Sequence, residues 1–440
     1  MDFLHSQLGK VQQHLAFVAV DPINWKFYVQ SIAWTVTLFE SYLLIRQYPL
    51  YSKTEPPPAL ATHISAADFE KSQKYGKDKA KFALLSGLYK QVLDTVMLHF
   101  GFYAWSWTAA GSLMARFGYG SEYETVQSIG FVLLLFFGSS LPTLPLSVRL
   151  PVYLSPDLLK GWALAVVLIS PFLWAFLRVF NWAGDRFVPW LMAFFLAFQL
   201  IMVIVYPISR LFKDGELRTR IESLAGKLKF PLTHLYEIDG SKRSSHSNAY
   251  FFGLPWSKHI VIFDTLIQQS QPDEVEAVLA HELGHWYYAH PTKMLAVSQI
   301  HVFTIFALFP AFLHAPPVLT SFDFPKSVAA QPPTLVAFLL FQMILTPLEA
   351  FVSIGMHAVS RHFEWEADRF ACELQDKLDD EKMNDMGDRL GRALIALHVK
   401  NLSTVWVDWL YSAYHHSHPT LTERLKGLES FQSQRRKKTT

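Results

Sequence analysis

Long apolar stretches alternate with shorter polar segments over most of this 440-residue chain. Several stretches reach about 20 residues, the length that a helix needs to cross the hydrocarbon core of a bilayer. The pattern therefore predicts a membrane protein of the α-helical class. Seven spans are predicted, near residues 25–45, 88–112, 126–143, 159–179, 187–208, 294–314 and 334–357.

The second predicted span is the least regular, because Lys90, Asp94 and His99 interrupt it. Ionisable side chains are costly in lipid, so we expect these three to face protein or water.

Basic residues are distributed unevenly among the predicted loops. The loops after the first and fifth spans are rich in Lys and Arg, whereas those after the second, fourth and sixth hold only Arg116, Arg186 and Lys326. Cytoplasmic loops carry the excess of basic residues in membrane proteins. The odd-numbered loops and the C-terminus are therefore predicted in the cytosol, and the N-terminus on the opposite side.

The segment between the fifth and sixth spans is polar enough to fold outside the membrane. Gly215–Leu228 has a helical pattern, while Thr233–Asp239 and His259–Phe263 have the patterns of strands. Between these strands, Ser247–Phe252 is predicted to be extended near a sheet edge, where a peptide substrate can bind as an added strand. A plain hairpin explains the same pattern equally well.

The segment His281–His285, with the sequence HELGH, indicates a specific chemistry. Histidines at positions i and i+4 share a helix face and can bind one zinc ion, and the glutamate between them can take a proton from zinc-bound water. Ser270 is predicted to cap this helix and Pro291 to end it. The alternative interpretation is an ordinary amphipathic helix with incidental histidines.

A catalytic zinc site needs a third protein ligand and keeps its fourth position for water. Glu364 and Asp368 share a helix face, so one carboxylate can bind metal while the other orients a ligand histidine. His362 and Glu366 point elsewhere and are interpreted as surface groups. Without the HELGH segment, this acidic stretch would be interpreted as a solvated helix face.

A cluster of histidines, His415, His416 and His418, follows an aromatic helix near the C-terminus. A peptidase needs hydrogen-bond donors for the oxyanion that develops at the scissile carbonyl, and His418 and Arg424 are candidates. Simple surface polarity is the alternative.

The composition agrees with a membrane protein. Charged residues make up 17% of the chain, against about 25% in a typical soluble domain. We find no nucleic-acid-binding module and no glycine-rich phosphate loop. The single cysteine, Cys372, excludes an internal disulfide and is interpreted as a packing residue.

Several blocks together resemble the type I CAAX prenyl proteases, integral-membrane zinc metalloendopeptidases, and in particular a fungal member. The resemblance covers most of the chain from Asn181 onward, and its most specific part is the block DGSKRSSHSNAYFFG beside HELGH. The blocks are Tyr206-Pro207, Phe230–Leu232, Asp239–Gly253, Val261–Leu266, His281–His285, Phe363–Asp368 and Ser417–Leu425.

The resemblance implies one zinc ion per chain. It assigns His281, His285 and Glu364 as ligands and Glu282 as the catalytic base. It also implies that Asp368 supports the site by orienting a ligand.

The substrates implied by the resemblance are prenylated proteins or peptides, from which the three residues after the prenylated cysteine are removed. Asn248 and Ala249 would bind the substrate at the strand edge, and His418 and Arg424 would stabilise the scissile bond region during cleavage. In fungi, the family also trims the N-terminal extension of a mating-pheromone precursor.

The implied fold is seven transmembrane helices that enclose an intramembrane chamber, with a small cytosolic α+β zinc-peptidase unit. The chain is shorter than the family pattern near 147–158 and 208–214. The expected regions are a five-span membrane region at 1–208 with a cytosolic loop at 46–87, a catalytic region at 209–293, two further spans at 294–358, cytosolic helices at 359–431 and a basic tail at 432–440.

The implied location is the membrane of the endoplasmic reticulum and also the inner nuclear membrane, with the site facing the cytosol. Lys437 and Lys438 stand fourth and third from the end, which resembles a dilysine retrieval signal. Two alternative functions remain at this point, a quality-control zinc protease for membrane proteins and an inactive membrane scaffold.

Overall fold

The computed structural model of the protein describes residues 9–19, 23–120, 122–147, 156–204, 210–239 and 248–439. Residues 148–155 of the short segment at 147–158 therefore lie outside the described residues, as do most of the DGSKRSSH stretch and part of the short segment at 208–214. The helices of the N-terminal half are α1 (Trp25–Gln47), α2 (Ala66–His99), α3 (Phe102–Arg116), α4 (Glu124–Ser147), α5 (Pro156–Ala183) and α6 (Phe187–Ile204).

The C-terminal half combines a small sheet with helices. Its strands are β1 (Arg210–Leu211), β2 (Leu232–Ile238), β3 (Ala249–Leu254) and β4 (Ser257–Phe263). Its helices are α7 (Glu216–Lys227), α8 (Asp264–Gln269), α9 (Pro272–Tyr287), α10 (His290–Leu308), α11 (Pro310–Leu313), α12 (Pro316–Ser321), α13 (Lys326–Ala330), α14 (Thr334–Cys372), α15 (Leu374–Leu378), α16 (Met386–Lys400), α17 (Trp409–His415) and α18 (Leu421–Thr439).

Four helical stretches within the described residues are long and apolar enough to cross a bilayer. They correspond to the third, fourth, sixth and seventh predicted spans. The apolar stretch of α6, at the fifth predicted position, is shorter, and α1, at the first, is long enough with 23 residues but less apolar. The four stretches are Glu124–Thr143, Leu159–Ala183, His290–Leu313 and Thr334–Cys372.

The second predicted span is not one continuous helix. Helix α2 ends at His99 and α3 begins at Phe102, on either side of Gly101. Gly101 has a φ of 63°, a left-handed conformation that interrupts a right-handed helix and that glycine adopts without steric cost. The hydropathy pattern could not show this break, because an apolar stretch has the same hydropathy whether it forms one helix or two.

The sheet has the strand order β1-β2-β4-β3. Strands β2 and β4 are parallel, and β3 forms an antiparallel hairpin with β4. In the described part of the chain, β3 is therefore an edge strand as well as one arm of a hairpin. The two interpretations of Ser247–Phe252 that the sequence left open are compatible.

The chain divides into two compact units. The first comprises residues up to Glu40, Ala83–Phe198 and Val297–Ala350, and it has an aromatic-rich core that includes Phe131, Phe309 and Phe341. The second comprises Ser41–Phe82, Gln199–Ala296 and the chain from Phe351 onward. Its core joins the sheet to α7, α9, α14 and α16, with the HELGH helix at its centre.

Candidate metal centre

Helix α9 begins at a capping box. Gln271 is the N-cap, Pro272 follows it, and the side chains of Gln271 and Glu274 bond the backbone N–H groups that the first turn leaves unpaired. The predicted cap at Ser270 is wrong by one residue, because the glutamate that completes the box lies three positions after Gln271. The helix then buries one face in the core of the second unit.

Gly284 allows α9 to lie unusually close to α14. A Cβ added at Gly284 would stand 3.1 Å from two side-chain atoms of Phe370 and 3.2 Å from the Cα of Ala367. These distances are tighter than nine in ten real Cβ contacts, so a side chain at this position would require Phe370 or Ala367 to move by a few tenths of an ångström. The glycine of the HELGH segment thus lies at a close contact between the two helices that carry the candidate ligands.

The three candidate ligands are brought together. Nε2 of His281 lies 3.1 Å from Nε2 of His285, and these two atoms lie 3.4 Å and 3.3 Å from the two carboxylate oxygens of Glu364. A tetrahedral zinc ion with bonds of about 2.0–2.1 Å holds its ligand atoms about 3.3 Å apart. Oε2 of Glu364 is also buried without a hydrogen-bond partner, and a cation would satisfy it. The donor set and its spacing fit zinc.

Asp368 lies directly behind His281. Its Oδ1 accepts a hydrogen bond from Nδ1 of His281 at 2.9 Å, which leaves Nε2 of that histidine free to bind metal. Asp368 is fully buried, and a charge in that position needs a partner. Arg424 supplies it, because Nε donates to Oδ2 at 2.9 Å and Nη2 contacts Oδ1.

The side chain of Arg424 is therefore occupied by carboxylates. Besides Asp368, its Nη1 lies 3.5 Å from Oε2 of Glu364, and only 7% of the residue is exposed. Helix α18 presents it through a capping box in which Thr420 and Glu423 bond each other's backbone N–H groups. This arrangement favours a positioning role over direct contact with a substrate.

His418 reaches the same centre from the other side. Its Nε2 lies 3.3 Å from Oε1 of Glu364, and 62% of its side chain is exposed. The preceding Ser417 contacts its Nδ1 at 2.9 Å, while Arg361 holds its backbone carbonyl at 3.3 Å. His418 is thus beside the ligands and still accessible, as an oxyanion donor needs to be.

Glu282 lies on the same turn of α9 as the two histidines. Burial raises the pKa of its carboxyl above the usual range, and the neighbouring His281 and His285 oppose that rise. A carboxylate whose pKa is moved towards neutrality is a better proton acceptor at working pH.

Strand β3 packs against α9 and carries the candidate substrate-binding residues. The carbonyl of Asn248 accepts a hydrogen bond from the N–H of Phe263 in β4, at 3.0 Å. By the alternation of an antiparallel ladder, the backbone groups of Ala249 and Phe251 then point to the open edge. The N–H of Ala249 is bonded to Oδ1 of Asn248 at 2.8 Å, so the backbone of Phe251 is the clearer attachment point for an added strand.

Glu366, interpreted as a surface group, is partly exposed but also has a buried partner. Its Oε2 lies 3.0 Å from Nε2 of the buried His290, whose Nδ1 lies 2.9 Å from Nδ1 of His285. His362 is an exposed group as expected, with 69% of its side chain accessible. Sequence reasoning did not find His290, because it stands five positions after His285, a spacing that does not share a helix face.

Two family models and several known proteins match this chain. The sequence model described as peptidase family M48 matches residues 211–432, which include every candidate ligand. The model of the CAAX prenyl protease N-terminal region, with five membrane helices, matches residues 47–149 and 150–213. CAAX prenyl protease 1 of Saccharomyces cerevisiae is 39% identical over 92% of this chain and 96% of its own length. The chain belongs to the CAAX prenyl proteases of family M48.

Other relatives and a solved structure extend the match. The CAAX prenyl protease 1 homolog of Homo sapiens is 33% identical over 91% of this chain and 94% of its own length. The crystal structure of Ste24p from S. mikatae superposes with a TM-score of 0.81 at 37% identity, covering 93% of this chain and all of that one. Membership of this M48 group makes the chain a multi-pass membrane protein of a metallopeptidase family, as the sequence predicted.

Proposed function

We propose that this chain is a zinc metalloendopeptidase that removes the C-terminal tripeptide from prenylated CAAX proteins. The observation that carries the proposal is the triangle of His281, His285 and Glu364, with atom separations of 3.1–3.4 Å, in a member of the CAAX prenyl proteases. Family membership also favours this function over the quality-control protease and the inactive scaffold.

The chain's own residues divide the work of hydrolysis. Zinc, when bound by the three ligands, supplies a water of lowered pKa and polarises the scissile carbonyl. Glu282 takes the proton from the attacking water and carries it to the leaving amine. His418 donates to the carbonyl oxygen as negative charge develops on it. Asp368 and Arg424 hold His281 and Glu364 in place.

We infer that the substrate backbone adds to the open edge of β3. Main-chain hydrogen bonds fix a peptide without selecting its side chains, which suits an enzyme whose substrates share a prenyl group and a C-terminus. Asn248 and Ala249 begin this edge, and the hydrogen bond that the Ala249 N–H donates to Asn248 Oδ1 would be exchanged for contacts with the peptide. The same site would also serve the N-terminal cleavage of a pheromone precursor.

A direct test uses purified full-length protein and a farnesylated C-terminal peptide. We expect release of the tripeptide, loss of that release with a zinc chelator, and recovery with one equivalent of Zn²⁺. Glu282→Ala should keep stoichiometric zinc and lose at least about 10²-fold in turnover. Substantial cleavage by Glu282→Ala would exclude its role as the base, and no cleavage by the wild type would exclude the substrate class.

We further propose that the protein lies in the endoplasmic reticulum membrane, with seven spans and the site on the cytosolic side. Prenylated proteins partition onto the cytosolic leaflet, where such a site would meet them. A C-terminal tag should be digested by protease added to intact microsomes. Replacement of Lys437 and Lys438 by alanine should weaken retention without affecting peptide cleavage in vitro. A tag protected until detergent is added would invert the proposed topology.

A further inference from the structure

His290 lies beside the candidate metal site and is almost completely buried, with 2% of its surface exposed. Its Nδ1 is 2.9 Å from Nδ1 of His285, and its Nε2 is 3.0 Å from Oε2 of Glu366. The ring of Phe363 stacks on the imidazole with a centroid distance of 4.1 Å and an interplanar angle of 4°. The imidazole is therefore fixed between a candidate ligand and a carboxylate.

The backbone is shaped to make this contact. Residues five positions apart on a continuous helix point about 140° away from each other, so His285 and His290 would not meet on one. Helix α9 ends at Tyr287, and Ala289 then adopts a left-handed conformation with a φ of 54°. Residues with a Cβ rarely take that conformation. The turn at Ala289 directs His290 back towards the HELGH segment.

One placement of protons satisfies both contacts of His290, with His285 on one side and with Glu366 on the other. A histidine that binds metal through Nε2 carries its proton on Nδ1, so Nδ1 of His285 donates to Nδ1 of His290. His290 then holds its own proton on Nε2 and donates it in a hydrogen bond to Glu366. This chain of hydrogen bonds ends on a carboxylate, as the supporting contacts of metal-binding histidines commonly do.

We propose that His290 and Glu366 are positioning residues of the metal site, which hold His285 in the tautomer and ring orientation that present Nε2 to zinc. The inference rests on the proposed zinc site. Asp368 supports His281 directly, whereas Glu366 supports His285 through an inserted imidazole. The two ligands are thus supported by carboxylates two residues apart on α14.

The test measures zinc affinity of the purified full-length protein by competition with chelators of graded strength. His290→Phe keeps a ring to stack on Phe363 and removes both nitrogens, and should weaken zinc binding about 10–100-fold. His290→Asn retains an acceptor near the Nδ1 position and should recover part of that loss. Glu366→Gln should cause a smaller loss than His290→Phe.

The matched control is His362→Gln. His362 is an exposed histidine on α14, the helix of Glu366, and its Nε2 lies 3.8 Å from Oε1 of Glu366. Its zinc affinity should equal that of the wild type. The thermal midpoint of each zinc-free variant checks folding. If His290→Phe unfolds, the comparison of Glu366→Gln with His362→Gln decides.

Two failures can be told apart. If the wild type binds no zinc, or binds it equally well after Glu364→Ala, the proposed site itself is wrong. If the wild type binds zinc through Glu364 but the His290 and Glu366 variants match it in affinity, only the positioning role is overturned. Equal losses in His290→Phe and His290→Asn at unchanged midpoints would also contradict the role, because the retained acceptor would then have no effect.

Discussion

The two compact units of the chain bury different kinds of polar side chain. Within the described residues, the first unit buries the hydroxyl residues Ser106, Ser128 and Thr334, together with the indoles of Trp25 and Trp107. Among the described residues, every Asp, Glu, His or Arg that is buried as a whole lies in the second unit. They are Glu276, His281, His290, Glu364, Asp368 and Arg424.

This difference shows that it is the second unit that removes ionisable side chains from water. A buried charge is tolerated when a partner and hydrogen bonds compensate it, and removal of one partner is strongly destabilising. The second unit meets that condition through contacts around the metal site and through Arg220 and Arg389, which both contact Glu276. The first unit avoids the problem with an aromatic core. Substitutions should therefore have unequal effects in the two units.

The largest effect is expected from removing a ligand. Glu364→Ala should lose both bound zinc and peptide cleavage, because a catalytic zinc site needs three protein ligands and the two histidines alone supply only two. Hydrogen exchange should rise in α9 and in the part of α14 that belongs to the second unit, and stay unchanged in α4 and α5. Elemental analysis and exchange mass spectrometry would measure the two outcomes. Full zinc occupancy in Glu364→Ala would contradict the assignment.

The next effect concerns the buried guanidinium group. Arg424→Met leaves Asp368 buried without its cation and should lower the free energy of unfolding by about 3–5 kcal/mol. The control is Arg392→Met, which removes a half-exposed arginine that contacts Asp273 and Glu274. Exposed pairs of that kind contribute about 0–1 kcal/mol. Denaturant unfolding of the zinc-free proteins would measure both, and similar losses in the two variants would contradict the prediction.

His418 should affect catalysis rather than stability. His418→Ala should lower the turnover number by about 10²–10³-fold, since it removes a donor from the developing oxyanion, while zinc content stays normal. His362→Ala, an exposed histidine on α14, should leave turnover unchanged. Steady-state kinetics with the farnesylated peptide would separate the two. Unchanged turnover in His418→Ala would reduce the residue to a surface group.

The smallest effect is expected at an ion pair away from the site. The Arg46 guanidinium, which donates to Asp408 at 2.8 Å, lowers the pKa of that carboxyl, and Asp408 also caps α17. A lowered folded-state pKa adds stability above the unfolded pKa of about 3.9 and loses it as the pH falls through the folded value. The thermal midpoint of Arg46→Gln should thus lie below that of the wild type at pH 7, with the difference shrinking towards pH 3. A pH-independent difference would contradict this origin.

The sequence predicted the parts of the site that depend on helical periodicity. His281 and His285 share a face by their spacing, and Glu364 and Asp368 do so as well, so their convergence needed only that the two helices meet. The close contact at Gly284 where they meet could not be predicted, because it depends on the neighbouring Phe370.

Other parts could not be predicted, because they depend on departures from periodicity. His290 reaches the site through a left-handed residue at Ala289, which no helical wheel includes. The break at Gly101 likewise divides an apolar stretch that hydropathy treats as one span. Glycine allows such a turn without requiring it, and alanine does not indicate one at all.

Helix α14 carries Glu364, Glu366 and Asp368 within little more than one turn, and it is one continuous helix from Thr334 to Cys372. A helix advances about 1.5 Å per residue, so the three carboxylates, which all follow the internal Pro347, keep fixed separations. A movement of this segment relative to α9 would shift the metal ligand and the supports of both histidines together. The metal site would therefore be assembled or lost as a whole, and not one ligand at a time.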